Sequence, residues 1–166
     1  MSQDATFSMD TALEHEIDVA GELEPLPVSP AQLASWVRLA LESAPGASSV
    51  GVQIVDRETI QILNAHYRDR DKATNVLSFP ADVPAPLPVR PLGDVVVCAE
   101  VVAEQARAGA IEPAAHWAHM VIHGTLHLLG YDHEADGEAA VMEARESELL
   151  ARAGFEDPYR SRHEDP

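Results

Sequence analysis

The run His123-Gly124-Thr125-Leu126-His127-Leu128-Leu129-Gly130-Tyr131-Asp132-His133 constrains this chain more than any other stretch. It sets three imidazoles at spacings of four and six residues. The first two stand one helical turn apart on a shared face, with β-carbons about 5–6 Å apart. Gly130 takes positive φ without strain, so a helix can end there and the chain can fold back. The return brings His133 to the point that the first two rings share. Three neutral imidazoles converging on one point suit a divalent ion such as zinc, one per chain, with a fourth position open. The competing reading is three core histidines, each with its own hydrogen-bond partner. It needs three separate partners within eleven residues, for groups that are expensive to bury alone.

Upstream, His116 and His119 continue the same stripe, with steps of three, four and four through His127. Only His123 and His127 lie close enough to the glycine turn to meet His133. His119 therefore reads as a support or structural residue, and His116 is left undecided between cleft and core. Asp132, beside His133, either accepts the outer N–H of a ligating ring or caps the last helix.

A chain of 166 residues is long enough for one domain with a real core. That domain is expected to span 1–166, with 1–14 and 160–166 loosely ordered. There is no apolar run near 18 residues, so no membrane span is expected. The start lacks a basic stretch ahead of an apolar one, so no secretory signal is expected. The one cysteine, Cys98, sits in the apolar run Val95-Val96-Val97-Cys98 and reads as a small buried side chain. It gives no reason to expect an oxidising compartment, and the cytoplasm is the default expectation. The formal net charge of −17 opposes nucleic-acid binding if taken whole. The charge is unevenly spread, however. From Arg57 to Arg107 there are six basic and seven acidic residues, against five basic and twenty-one acidic in the remainder. The middle of the chain is therefore free to present a local basic surface.

In chain order, Met1 to Glu14 reads as a loose polar start. His15 to Leu23 alternates in part and predicts an edge strand, broken by Glu24-Pro25-Leu26-Pro27. Ser29-Pro30 predicts an N-cap and first helical residue. The helix that follows places Leu33, Trp36, Val37, Ala40 and Leu41 on one face and ends near Pro45-Gly46. Ser49 to Asp56 predicts a strand, Arg57 to Tyr67 a helix, and Arg68 to Lys72 a charged loop. Thr74 to Pro80 predicts a short strand. Ala81 to Pro91 holds four prolines and is expected to be an exposed flap, neither helix nor central strand. Gly93 to Cys98 reads as a strand covered on both faces. Helices are expected over Ala99 to Ala108, from Glu112-Pro113 through His127, and over Asp136 to Ala153. The tail from Asp157 is expected to fray. The sum is an α+β domain: about five helices packed on a small mixed four-stranded sheet.

Three histidines and an open position make a Lewis acid that lowers the pKa of bound water, which is hydrolase chemistry. The pattern His-x-x-x-His-x-x-Gly-x-x-His is also the zinc framework of a class of metalloproteases. Those enzymes carry a Glu directly after the first His as general base. Gly124 stands there, and a peptidase reading loses its base. A phosphodiester substrate instead calls for a cation on the non-bridging oxygens, and a guanidinium fork suits that task. Arg68, Arg70 and Lys72 supply cations in one loop. The plainer reading of that loop is a solvated surface run, with Asp69 and Asp71 pairing with their neighbours.

Three segments together carry a resemblance. Asn64 to Pro80 includes Tyr67-Arg68-Asp69-Arg70-Asp71-Lys72 and Thr74-Asn75-Val76-Leu77-Ser78-Phe79-Pro80. Leu92-Gly93-Asp94-Val95 follows, and then His116 to His133. In order, they resemble the bacterial YbeY family of metal-dependent endoribonucleases, also called rRNA maturation factors. The resemblance implies a zinc-metalloprotease-like architecture, with His123, His127 and His133 as zinc ligands and Arg68 as the arginine needed for activity. Lys72 and Ser78 fall on pattern positions and are expected to line the cleft as substrate contacts. Arg70 falls on a position the pattern does not fix and keeps the surface reading. The implied substrate is single-stranded RNA. The implied role is maturation of ribosomal RNA, notably the small-subunit 3′ end, and ribosome quality control. The ribosome or its assembly proteins are the implied partners. A zinc-stabilised assembly factor that binds RNA without cutting it is the alternative from a different class.

Overall fold

The computed structural model describes residues 14–22, 25–82 and 87–160. Most of the expected loose start, the centre of the proline-rich flap, and residues 161–166 of the expected frayed tail lie outside these. Four strands form one sheet: β1 (Glu16–Gly21), β2 (Ser48–Val55), β3 (Val76–Pro80) and β4 (Arg90–Cys98), in the order β1-β2-β4-β3. β1, β2 and β4 run parallel, and β3 is antiparallel to β4 at the edge. The helices among the described residues are α1 (Pro30–Ala40), α2 (Arg57–Arg68), α3 (Ala99–Ala108), α4 (Pro113–Leu128) and α5 (Asp136–Arg152). The α+β architecture with a mixed sheet is as the sequence predicts.

Local chemistry explains where these elements start. Ser29 caps α1 through its hydroxyl, which accepts from the Gln32 N–H at 3.1 Å, and the Gln32 side chain accepts from the Ser29 N–H at 2.8 Å. Pro30 occupies the first helical position, where its missing N–H is no loss. The helix gives way to a tighter turn at Leu41–Ser43, short of the expected end near Pro45-Gly46. Asp56 caps α2 by accepting from the Thr59 N–H at 2.8 Å.

Alternation along the strands decides how the layers stack. Val50, Val52, Ile54, Val95 and Val97 form one sheet face. They pack in a single core with Leu33, Trp36 and Val37 of α1 and with Trp117, Val121 and Ile122 of α4. Met142, Leu149 and Leu150 of α5 join the same core behind α4. On the opposite face, Val96 and Cys98 of β4 meet Leu77, Ile60 of α2 and Val101 of α3. β4 is thus covered on both sides, as its unbroken apolar run requires, and Cys98 is fully buried.

One expectation fails here. β4 begins at Arg90 and includes Pro91, so the end of the proline-rich segment belongs to a central strand. The geometry removes the objection to proline. Arg90 donates to the Ala47 carbonyl on the β2 side at 3.0 Å, so the nitrogen of Pro91 faces the other way. On that side the β3 ladder has already ended, its last pair being Pro80 with Gly93. No ladder hydrogen bond is lost.

Candidate metal centre and cleft

α4 carries four of the histidines, and its C-terminal end determines what they can do. The helix closes with the Tyr131 N–H on the Leu126 carbonyl and the Gly130 N–H on the His127 carbonyl, both at 3.0 Å. Gly130 has φ of 104°. This is the Schellman arrangement that the glycine predicts. It also turns the Tyr131 carbonyl back toward the helix, where the His127 Nδ1–H donates to it at 3.0 Å. That bond fixes the tautomer and leaves Nε2 of His127 with a free lone pair.

His133 returns as the spacing predicts. The ring centroids of His123 and His127 are 4.7 Å apart, those of His127 and His133 4.8 Å, and those of His123 and His133 5.6 Å. One nitrogen from each ring falls within 4.8 Å of the other two. A tetrahedral ion with bonds of about 2.0–2.1 Å holds its ligands about 3.4 Å apart, so small ring rotations suffice to close the set. The donor set is all nitrogen and borderline-soft, and the residues fit a divalent transition ion. Burial lowers the pKa of His127, with the neighbouring His123 and His133 adding to the effect, so its imidazole is neutral near neutral pH and ready to bind metal.

Behind His123 stands a residue that the sequence reading passed over. Glu146 of α5 is fully buried, and its Oε2 accepts from the His123 Nδ1–H at 2.5 Å. Its Oε1 accepts from His119 Nε2 at 2.9 Å and from the Tyr159 hydroxyl. Burial alone would raise this carboxyl. The hydrogen bonds to His119 and His123 outweigh burial and hold it well below the usual carboxylate range. His119 thus meets Glu146, behind the three converging rings.

Asp132 fills neither expected role. Its Oδ1 accepts from the His133 N–H at 2.7 Å, and the start of α5 has no side-chain cap. Asp132 therefore shapes the turn that presents His133. The tail is also better held than expected. Asp157 Oδ1 accepts from the Ser147 hydroxyl and the Tyr159 N–H, both at 2.8 Å. These bonds fix the segment that delivers Tyr159 to Glu146.

His123, His127 and His133 form one wall of a cleft of about 480 Å³. The other wall is the loop after α2, bringing Arg68, Arg70 and Lys72, with Ser78 on β3. Arg70 is exposed, as the surface reading expects, and also lines this cleft. The expected pairing of Asp69 and Asp71 with their neighbours is not formed. Asp71 accepts instead from Gln61, and among the described residues no ion pair uses Arg68, Arg70 or Lys72. Asp69 takes φ of 59° and ends α2 in the left-handed conformation that Asp tolerates. Asn64 ties the loop down: it is buried, its amide donates to the Lys72 carbonyl at 2.9 Å, and its own carbonyl accepts from the Arg70 N–H at 3.3 Å. The sequence signal for Asn64 is a polar residue on the apolar face of α2.

Ser78 also joins the two walls. Its hydroxyl donates to the Gly124 carbonyl at 2.8 Å. A β-carbon placed at Gly124 would lie 2.6 Å from Val95 Cγ1 and 3.3 Å from Ser78 Oγ. The residue after His123 therefore packs against the sheet, and a peptidase glutamate has no room there. His116 does not line this cleft. Its Nε2 meets Gln105 Oε1 at 2.8 Å, and it borders a separate cavity of about 560 Å³. Burial, with His119 nearby, lowers its pKa to about 4.

A family model described as endoribonuclease YbeY matches residues 20–154, which contain the three histidines, the cationic loop and Glu146. The chain belongs to the YbeY endoribonuclease family. Among YbeY proteins, the endoribonuclease of Cellvibrio japonicus is 49% identical over 145 residues, covering 87% of this chain and 81% of the relative. The solution structure of the protein TM1509 from Thermotoga maritima superposes with a TM-score of 0.54 at 27% identity. It covers 90% of this chain and 96% of its own.

Proposed function

We propose that this chain is a zinc-dependent endoribonuclease that cuts single-stranded RNA, acting on ribosomal RNA in the cytoplasm. Its endoribonuclease activity follows from membership of the YbeY family. The finer reading gives it a role at the 3′ end of the small-subunit RNA and in ribosome quality control, with the ribosome or its assembly proteins delivering the substrate. The supporting observation is one cleft that joins three convergent imidazoles to three cations that have no ion-pair partner among the described residues.

A bound divalent ion supplies Lewis acidity and lowers the pKa of water. His123, His127 and His133 would hold it. Arg68 would grip the non-bridging oxygens of the scissile phosphate in a bidentate fork and stabilise the charge that grows on them. Arg70 and Lys72 would hold neighbouring phosphates along the strand. Such a positive wall accounts for RNA binding by a chain of net charge −17, with the acidic residues concentrated elsewhere. No helix of the described residues is long and apolar enough to cross a membrane.

The test is metal analysis of the purified protein beside cleavage of single- and double-stranded RNA oligonucleotides by wild type and Arg68→Glu. The expected result is about one zinc per chain in both proteins, with cleavage confined to single strands and lost in the variant. Zinc-loaded wild type that binds RNA without cutting it would favour the assembly-factor reading. Unchanged cleavage by Arg68→Glu would remove the arginine from the mechanism.

A further inference from the structure

We infer that Glu146 is the positioning residue of the metal centre, acting through His123, and that Tyr159 and His119 hold it in that role. The inference rests on the three-histidine metal site proposed above.

Glu146 is the only acidic side chain fully buried among the described residues. Its neighbours on α5, Met142, Leu149 and Leu150, belong to the apolar core, where a leucine would pack as well. Packing alone gives no reason for a carboxylate at this place, and an unpaired one there is strongly unfavourable. What the carboxylate does have is a donor on each oxygen, three in all. Oε2 takes the His123 Nδ1–H, and Oε1 takes His119 and the Tyr159 hydroxyl. A ring held by Nδ1 against an anion presents Nε2 in one direction, and that nitrogen becomes more basic toward a metal. The direction is set from the far side, by a residue 23 positions downstream in the chain.

A second ion between His119, His123 and Glu146 is the competing reading, since their ligand atoms also lie within 4.8 Å of one another. The hydrogen bond from His123 Nδ1–H to Glu146 Oε2 argues against it, because a nitrogen that carries that proton has no lone pair to give an ion.

The experiment measures zinc affinity by competition with a chromophoric chelator, with thermal unfolding of the metal-free proteins as the folding control. Glu146→Gln is expected to bind zinc about ten- to a hundredfold more weakly than wild type. Tyr159→Phe, which removes a single hydroxyl from the far oxygen, is expected to lose several-fold while melting with wild type. In a His123→Ala background, Glu146→Gln is expected to change the remaining affinity no further. Wild-type affinity in Glu146→Gln, or an equal loss in both backgrounds, would overturn the inference. Should Glu146→Gln fail to fold, unchanged affinity in Tyr159→Phe would overturn it instead. Wild type that takes up no zinc would fail the metal-site reading itself, a result distinct from these.

Discussion

On the helical wall of the cleft, the rings of His123 and His127 and the carboxylate behind them are each held by another group. His127 is tied to Tyr131, His123 to Glu146, and Glu146 to His119 and Tyr159. On the loop wall the backbone is fixed by Asn64, but Arg68, Arg70 and Lys72 are exposed and make no ion pairs with described residues. The contrast fits the role proposed for each wall. An ion tolerates little error in ligand direction, and the tied rings of His123 and His127 would suit that demand. A phosphate backbone varies in path, and long cationic side chains adapt to it.

The hardest blow to this division is His127→Ala. Removing one imidazole should strip the metal and reduce RNA cleavage by at least about a hundredfold, read by metal analysis and a fluorescent oligonucleotide. Cleavage that survives in a folded, metal-poor variant would mean the helical wall is not the reactive one. Gly124→Ala tests whether the two walls share one packing arrangement. Its added methyl meets Val95, a fully buried strand residue, and should destabilise the fold by about 1–3 kcal/mol in urea unfolding. No loss of stability would show that α4 has slack against the sheet.

A further test concerns pH and the support behind α4. His116 has its pKa lowered to about 4 in the folded state. Between that value and its ordinary value near 6.5, the unfolded chain binds a proton that the folded chain refuses. Stability therefore falls as pH drops through this window. From pH 7.5 to 5, wild type should lose about 2 kcal/mol more than His116→Gln in paired urea titrations. Equal losses would mean His116 takes up its proton while folded. The mildest expected effect is on the loop wall: Lys72→Ala should weaken single-stranded RNA binding a few-fold and lower the salt dependence of log K by about 0.7, without touching metal content. A change in metal content would show that the walls do not act separately.

Much of the helical wall is legible in the sequence because its geometry is local. Spacings of four and six around Gly130 specify a helix, a reversal and three rings without reference to the rest of the chain. Glu146 is not legible for the opposite reason. It is one of several glutamates on α5, and only the packing of α5 behind α4 reveals that this one is buried. Asp132 misleads because it adjoins His133 in sequence, yet its carboxylate is used by the turn backbone. Pro91 misleads because a proline forbids a central strand only where its nitrogen faces a partner. The cationic loop is half legible: the charges are plain in the sequence, but the contact of Asp71 with Gln61, which leaves the cations without ion pairs among the described residues, depends on how α2 ends.

Gly124 carries an implication for how this scaffold can change. The helix bearing His123 and His127 lies flush on the sheet at this point, with Val95 filling the space where a side chain would stand. An acid introduced beside the first ligand could not simply be grafted in; it would have to prise two layers of the molecule apart. The route from this centre toward amide hydrolysis is therefore blocked by shape before any question of acid–base chemistry arises.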